Sequence, residues 1–200
     1  MKMAEKIKDT QQRTYSHILF DVFDPDPDNI LIEDIAHALS LQNRFNGHTK
    51  VPISVAEHSL FVASILPDEL KLEGLLHDAS DAYMGDVVSP VKHHHTMRMF
   101  RNLENCVQMH IYQKFGIKET EESHAQVKQA DNEAYFFEKE NFLLRQNMKA
   151  KDHVAVEHDF LDAFYSLYDK TNHFNRDPFK RRFEGNIVLK ERNNQAGVGH

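Results

Sequence analysis

From Met99 onward, Leu103, Val107, Ile111 and Phe115 recur at four-residue spacing, a period that lines one face of an α-helix and fits no strand. The spacing predicts a long amphipathic helix over 96–115, with Gly116 as its left-handed cap. A helix of that length must bury its apolar stripe against other elements, and the chain supplies them. Asp24, Pro25, Pro27 and Asp28 form turns, and Ile32, Ile35, Ala36 and Leu39 follow, predicting a loop that enters a helix at about Glu33. Ser54 with Glu57 three residues on is a capping-box pattern opening a helix through Leu60, Val62, Ala63 and Leu66. Leu72, Leu75, Leu76, Ala79 and Tyr83 predict one helix from about Asp68 to Gly85, and two more run over 122–146 and 154–168. The stretch 42–52, QNRFNGHTKVP, is an ordered connection between helices. No alternating five-residue strand pattern precedes residue 170, so the expected fold is all-α, a single compact helical bundle over 1–170.

From 171 to 200 the texture changes. Arg176, Lys180, Arg181, Arg182, Lys190 and Arg192 face Asp177, Glu184 and Glu191, giving a basic tail of net charge +3, expected to pack on the domain or on a neighbouring subunit. The whole chain carries a net charge of −7, which disfavours a role in coating nucleic acid. The apolar stretch 53–66 is interrupted by Glu57 and His58 and is shorter than the roughly 20 residues a membrane helix needs, so no membrane span is expected. The opening MKMAEKIKDTQQR lacks an apolar segment behind its charges, and a cytoplasmic location is expected. Cys106 is the one cysteine, so an internal disulfide is excluded and a metal site must be built from His and carboxylates.

Among 14 histidines, the question is which have ligand company. The run His93, His94, His95 after Pro90 reads as exposed rather than metal-binding. His58, the pair His77-Asp78, and Asp131 sit on three separate predicted helices, each adjoining an apolar face. Asp131 follows Val127 by four and precedes Ala134 by three, which turns it inward, where an ionised carboxylate needs a partner or a metal. Two imidazoles and two carboxylates make a mixed N/O site suited to Mn, Fe, Co, Ni or Zn.

The ordered blocks NRF at 43–45, VAEHS at 55–59, HDAS at 77–80 and GDVVSPVK at 85–92, followed by Asp131, resemble the HD-domain metal-dependent phosphohydrolase superfamily in its H…HD…D pattern. They are most similar to the bacterial 5'-deoxynucleotidases and the small phage dATP triphosphohydrolases, over roughly residues 40–145. The resemblance implies a helical domain in which His58, His77, Asp78 and Asp131 hold one divalent metal, with additional Mg or Co on the substrate phosphates. Asp81 stands where the family usually has Glu, the residue that orients or deprotonates the attacking water or assists the leaving group; an exposed helix carboxylate is the alternative. Arg44 matches the phosphate-binding arginine, whose guanidinium clamps oxygens with paired hydrogen bonds. Phe45 replaces a common Trp and either lines the base pocket or belongs to the core. Asp86 matches the residue that contacts the sugar 3'-hydroxyl, and Ser89 and Lys92 lie in the same loop, Lys92 as a charge for outer phosphates.

The activity so implied is hydrolysis of a small-molecule 2'-deoxyribonucleotide by a homo-oligomer, in a bacterial cell or a phage-infected host. The short single-domain form with the NRF and GDVVSPVK blocks looks like the phage enzymes, with Lys92 and the run at 93–95 available to a longer phosphate chain, which favours dATP triphosphohydrolase in nucleotide-pool control. A 5'-deoxynucleotidase acting on monophosphates is the alternative, and a non-catalytic nucleotide-sensing protein is the alternative from another class. A cyclic-dinucleotide phosphodiesterase is disfavoured, since no GYP motif follows.

Overall fold

The computed structural model describes residues 8–145 and 148–171. The chain divides into two compact units, Met1–Tyr168 and Asp169–His200, and the predicted basic tail lies outside the described residues. The described residues are helical, as expected: α1 (Ile32–Leu41), α2 (Val55–Ile65), α3 (Lys71–Leu75), α4 (Asp81–Met84), α5 (Ser89–Lys92), α6 (Arg98–Phe115), α7 (Glu121–Glu138) and α8 (His153–Thr171). A short antiparallel hairpin, β1 (Gln11–Arg13) and β2 (Leu19–Asp21), precedes them, with Gln12 opposite Phe20. Its strands are too short for a period-two pattern to show in the sequence.

Local chemistry sets several helix ends. Ser54 Oγ accepts from the Glu57 amide while the Glu57 carboxylate accepts from the Ser54 amide, the reciprocal box that opens α2. Gly116 ends α6 at φ 71°, where a side chain would be strained. Of the stripe on α6, Val107, Ile111 and Phe115 are buried. Met99 is not; at 71% exposed, in the first turn, it has run past the core, a correction to the predicted face.

The main core joins Ile35 and Leu39 of α1, Val55 of α2, Leu75, Leu76 and the α6 stripe to Phe160 and Phe164 of α8. A second cluster, Val62 and Leu66 with Val127, Ala130 and Ala134, fixes α2 against α7. Gly74 fixes α2 against α3, because a Cβ there would collide with Leu66 Cδ1. His58, His77 and Asp131 ride on the segments these contacts bring together.

The predicted continuous helix over 68–85 is broken. After α3 the chain passes through a turn at 76–80 held by three-residue bonds, Ala79 N to Leu76 O and Asp81 N to Asp78 O, before α4 resumes. Backbone groups released by the break are taken up by a side chain of α6: Gln108 Nε2 donates to Leu76 O at 2.7 Å, and Gln108 Oε1 accepts from Ser80 N at 3.0 Å. Apolar periodicity could not show this, since Leu76 and Ala79 are buried whether the turn is helical or not.

Candidate metal centre

His58 lies on α2 one turn past the cap, wholly buried, and its Nδ1–H donates to Glu138 Oε1 at 2.8 Å. His77 lies in the 76–80 turn, and its Nδ1–H donates to the Gly74 carbonyl at 2.8 Å. A carbonyl can only accept, so the proton of a neutral His77 ring is fixed on Nδ1 and its Nε2 keeps a lone pair. In both rings Nε2 is buried and makes no hydrogen bond. These two atoms point at carboxylates: His58 Nε2 is 3.1 Å from Asp131 Oδ1 and 3.6 Å from Asp78 Oδ2, and His77 Nε2 is 3.2 Å from Asp78 Oδ2 and 3.9 Å from Asp131 Oδ1.

Ligand atoms bound at about 2.0–2.2 Å around one ion lie about 3.3–3.6 Å apart at tetrahedral angles, close to these separations. Donor atoms of His58, His77 and Asp131 all fall within 4.8 Å of one another, so these three residues could hold a metal ion. Asp78 faces the same two nitrogens. In a regular helix its side chain would diverge from that of His77 by about 100°; the break at 76–80 is the local geometry in which both meet His58.

The charges answer one another. Burial opposes a proton on His77, but Asp78 and Asp131 outweigh it and raise its pKa to about 10. Burial alone would raise Asp78 and Asp131; the adjoining imidazoles hold both carboxyls well below the usual range. Arg44 beside Asp78, and Lys128, whose Nζ donates to Asp131 Oδ2 at 2.6 Å, share with His77 the positive charge that faces the carboxylates, and an ion binding at His77 Nε2 displaces its proton.

Arg44 follows α1 in a tight 3-10 turn where Phe45 and Asn46 take left-handed φ of 55° and 49°. Its Nε donates to Glu138 Oε2 at 2.8 Å, and its Nη1 is directed at Asp78 Oδ2, 3.7 Å away. The Phe45 ring is half-buried against Tyr135, centroids 5.9 Å apart.

Asp81 is buried at the start of α4, which removes the exposed-carboxylate alternative. Burial and the nearby charge of Asp78 push its pKa well up, with Lys92 Nζ at 4.0 Å opposing them. Lys92 Nζ pairs more closely with Glu104, at 2.8 Å. Asp86 is half-buried; burial raises its carboxyl while the Arg44 charge pulls the other way. Gln42 spans the α4 loop, donating to Asp81 O at 2.8 Å and accepting from Asp86 N at 3.1 Å. Ser89 is exposed at the first position of α5 and is not brought against these groups. His93, His94 and His95 are exposed; His94 Nδ1 bonds Thr96 Oγ1 at 2.8 Å and its ring lies 4.2 Å from that of His95.

Sequence reasoning missed Glu138, Gln42, Gln108 and Glu104. Only Glu138 left a trace: it lies two helical turns after Asp131, on the same face of α7, among apolar residues.

No family model matches the chain. It is 41% identical over 95 residues to an uncharacterised protein of Rhodobacter capsulatus, across 43% of this chain and 48% of that protein. It is 34% identical over 107 residues to the uncharacterised protein YfdR of Escherichia coli K12, across 52% of this chain and 58% of YfdR. The chain thus spans about half the length of the curated relatives it matches, and neither relative's name assigns an activity. Among the described residues, no helix is long and apolar enough to cross a membrane.

Proposed function

We propose that the chain is an HD-type, divalent-metal-dependent hydrolase of 2'-deoxyribonucleotides, converting dATP and water to deoxyadenosine and triphosphate. One observation carries the reading: two buried imidazole nitrogens without hydrogen bonds converge on Asp78 and Asp131 beside the buried guanidinium of Arg44. The two-nitrogen, two-carboxylate donor set suits Co, Mn, Zn, Fe or Ni. Held by His58, His77, Asp78 and Asp131, such an ion supplies Lewis-acid polarisation of a phosphoryl oxygen and a lowered pKa for water at that position.

The chain's own groups supply the rest. Arg44 orients the reacting phosphate through the donors it directs toward Asp78. Asp81 is the proton-transfer group: as the water oxygen bonds to the first phosphorus and the bond from that phosphorus to O5' breaks, Asp81 hands its proton to O5' and is reprotonated by the proton the water gives up. Asp86 and Phe45 face the sugar and base, and Lys92 faces the outer phosphates. A second reading, release of orthophosphate from deoxynucleoside monophosphates, is favoured by the close pairing of Lys92 with Glu104, which leaves Arg44, facing Asp78, and Lys128, bonded to Asp131 at 2.6 Å, as the cations at the centre.

The test is a product assay on metal-replete protein offered the four deoxynucleoside triphosphates, their monophosphates and ATP. Triphosphate from dATP supports the first reading, and orthophosphate from monophosphates alone supports the second. Nucleotide binding with no product under any of the metals would sink both and leave a nucleotide-sensing protein.

A further inference from the structure

Glu138 has no counterpart among the residues that the resemblance assigns, yet it is the most buried acid at the centre, 1% exposed at the C-terminal end of α7. Each of its oxygens is engaged by a different partner: Oε1 accepts from His58 Nδ1 and Oε2 from Arg44 Nε, both at 2.8 Å. The two partners arrive on different segments, His58 on α2 and Arg44 in the turn after α1; Asp78 faces both at 3.6–3.7 Å, and Glu138 is hydrogen-bonded to both. The same face of α7 also carries Asp131, seven residues earlier, so one helix face offers a direct metal ligand and the outer partner of another.

We propose that Glu138 is the positioning residue of the centre, fixing His58 with Nε2 turned to the metal and Arg44 with its terminal donors turned to phosphate, so that metal and anion binding depend on one carboxylate. The part concerning phosphate rests on the hydrolase reading; the part concerning the metal does not.

Charge does not account for the arrangement. A buried anion beside Arg44 lowers the positive potential offered to phosphate, so on electrostatics alone its removal should tighten anion binding. Orientation predicts the opposite sign. Bound at Nε, the guanidinium loses its rotation and presents its remaining donors in one plane. A carboxylate on the far nitrogen of a ligating imidazole fixes its tautomer and direction, and loss of such a partner typically weakens metal binding about 10–100-fold.

The test compares wild type with E138D and E138Q, reading Co²⁺ affinity by competition with a chelating dye and, on the Co²⁺-loaded protein, affinity for inorganic tripolyphosphate. E138D keeps the charge but withdraws the carboxylate by about 1.5 Å, too far for both hydrogen bonds. E138Q keeps the length but opposes an amide donor to one of two donors. Both variants are expected to lose about tenfold or more in Co²⁺ affinity and to bind tripolyphosphate more weakly. Unchanged Co²⁺ affinity in E138D, or tighter tripolyphosphate binding in E138Q, overturns the proposal. E73Q is the control, because Glu73 is a buried carboxylate bonded to Ser123 away from the centre. Equal losses in E73Q, or unfolding of both Glu138 variants while E73Q stays folded, would make Glu138 a structural residue and overturn the proposal as well. Wild type that binds Co²⁺ and tripolyphosphate yet hydrolyses no deoxynucleotide sinks the hydrolase reading and leaves this one standing.

Discussion

Two groups of histidines in this chain differ in everything but residue type. His58 and His77 are far apart in sequence, buried or nearly so, and each has Nδ1 fixed on an acceptor from the fold, which leaves Nε2 aimed at Asp78 and Asp131. His93, His94 and His95 are adjacent, exposed, and bond or lie against near neighbours in the chain. Local density of imidazole is thus no guide to where buried ring nitrogens and carboxylates converge. What distinguishes the first group is an outer partner that fixes each ring and a carboxylate that faces it.

The sharpest way to break that contrast is Asp78→Ala. It is expected to lower Co²⁺ affinity by more than the roughly 100-fold that loss of an outer partner can produce, read by dye competition; near wild-type affinity would remove Asp78 from the ligand set. Asp81→Asn should retain the metal and lower kcat by about 10²–10⁴-fold in the product assay, and an undiminished rate would end its part in proton transfer. Arg44→Ala should raise KM for the nucleotide by about 10–100-fold, the worth of a hydrogen bond between charged groups. It should also lower the melting temperature, because Glu138 is left buried without its guanidinium.

The pH response follows from His77, whose pKa rises from 6.5 to about 10 in the metal-free fold. Its contribution to folding is fully present below 6.5 and is lost as pH rises through about 10. An ion must displace the same proton, so across that window Co²⁺ affinity is expected to climb by about tenfold per pH unit while the metal-free protein loses stability. A flat affinity profile would contradict the proton displacement. The smallest effect is expected from replacing His93, His94 and His95 together with Ala: kcat, KM and Co²⁺ affinity should stay within about twofold, and stability within about 0.5 kcal/mol. A larger fall in metal affinity would erase the distinction between the two histidine groups.

Much of this molecule was legible in its residues. The capping box at Ser54 and Glu57, the cap at Gly116 and the α6 stripe from Val107 to Phe115 are local signals, set by interactions within one or two turns, and the structure has them where the sequence puts them. The same period put Asp131 beside the buried Val127 and Ala134; it is half-buried there, with one oxygen 3.1 Å from His58 Nε2 and the other bonded to the exposed Lys128. Met99 shows where such reasoning stops, since periodicity gives a direction around the helix and not the height at which the core ends. Asp81 is a second case: helical spacing allowed either exposure or burial, and the packing of α4 against α1 decided for burial.

Sequence alone determined that the chain is helical, that any metal must be held by imidazole and carboxylate, and which four residues were candidates to hold it, because each of these follows from residue type and short-range period. Tertiary structure decided that the helix breaks at 76–80, where Gln108 of α6 takes up the released backbone groups and His77 and Asp78 turn to the same side. It also decided that Glu138 reaches both His58 and Arg44. Both outcomes are hydrogen bonds between groups remote in sequence, whose partners exist only once the helices have packed and excluded water, and no local pattern encodes which remote group will be there.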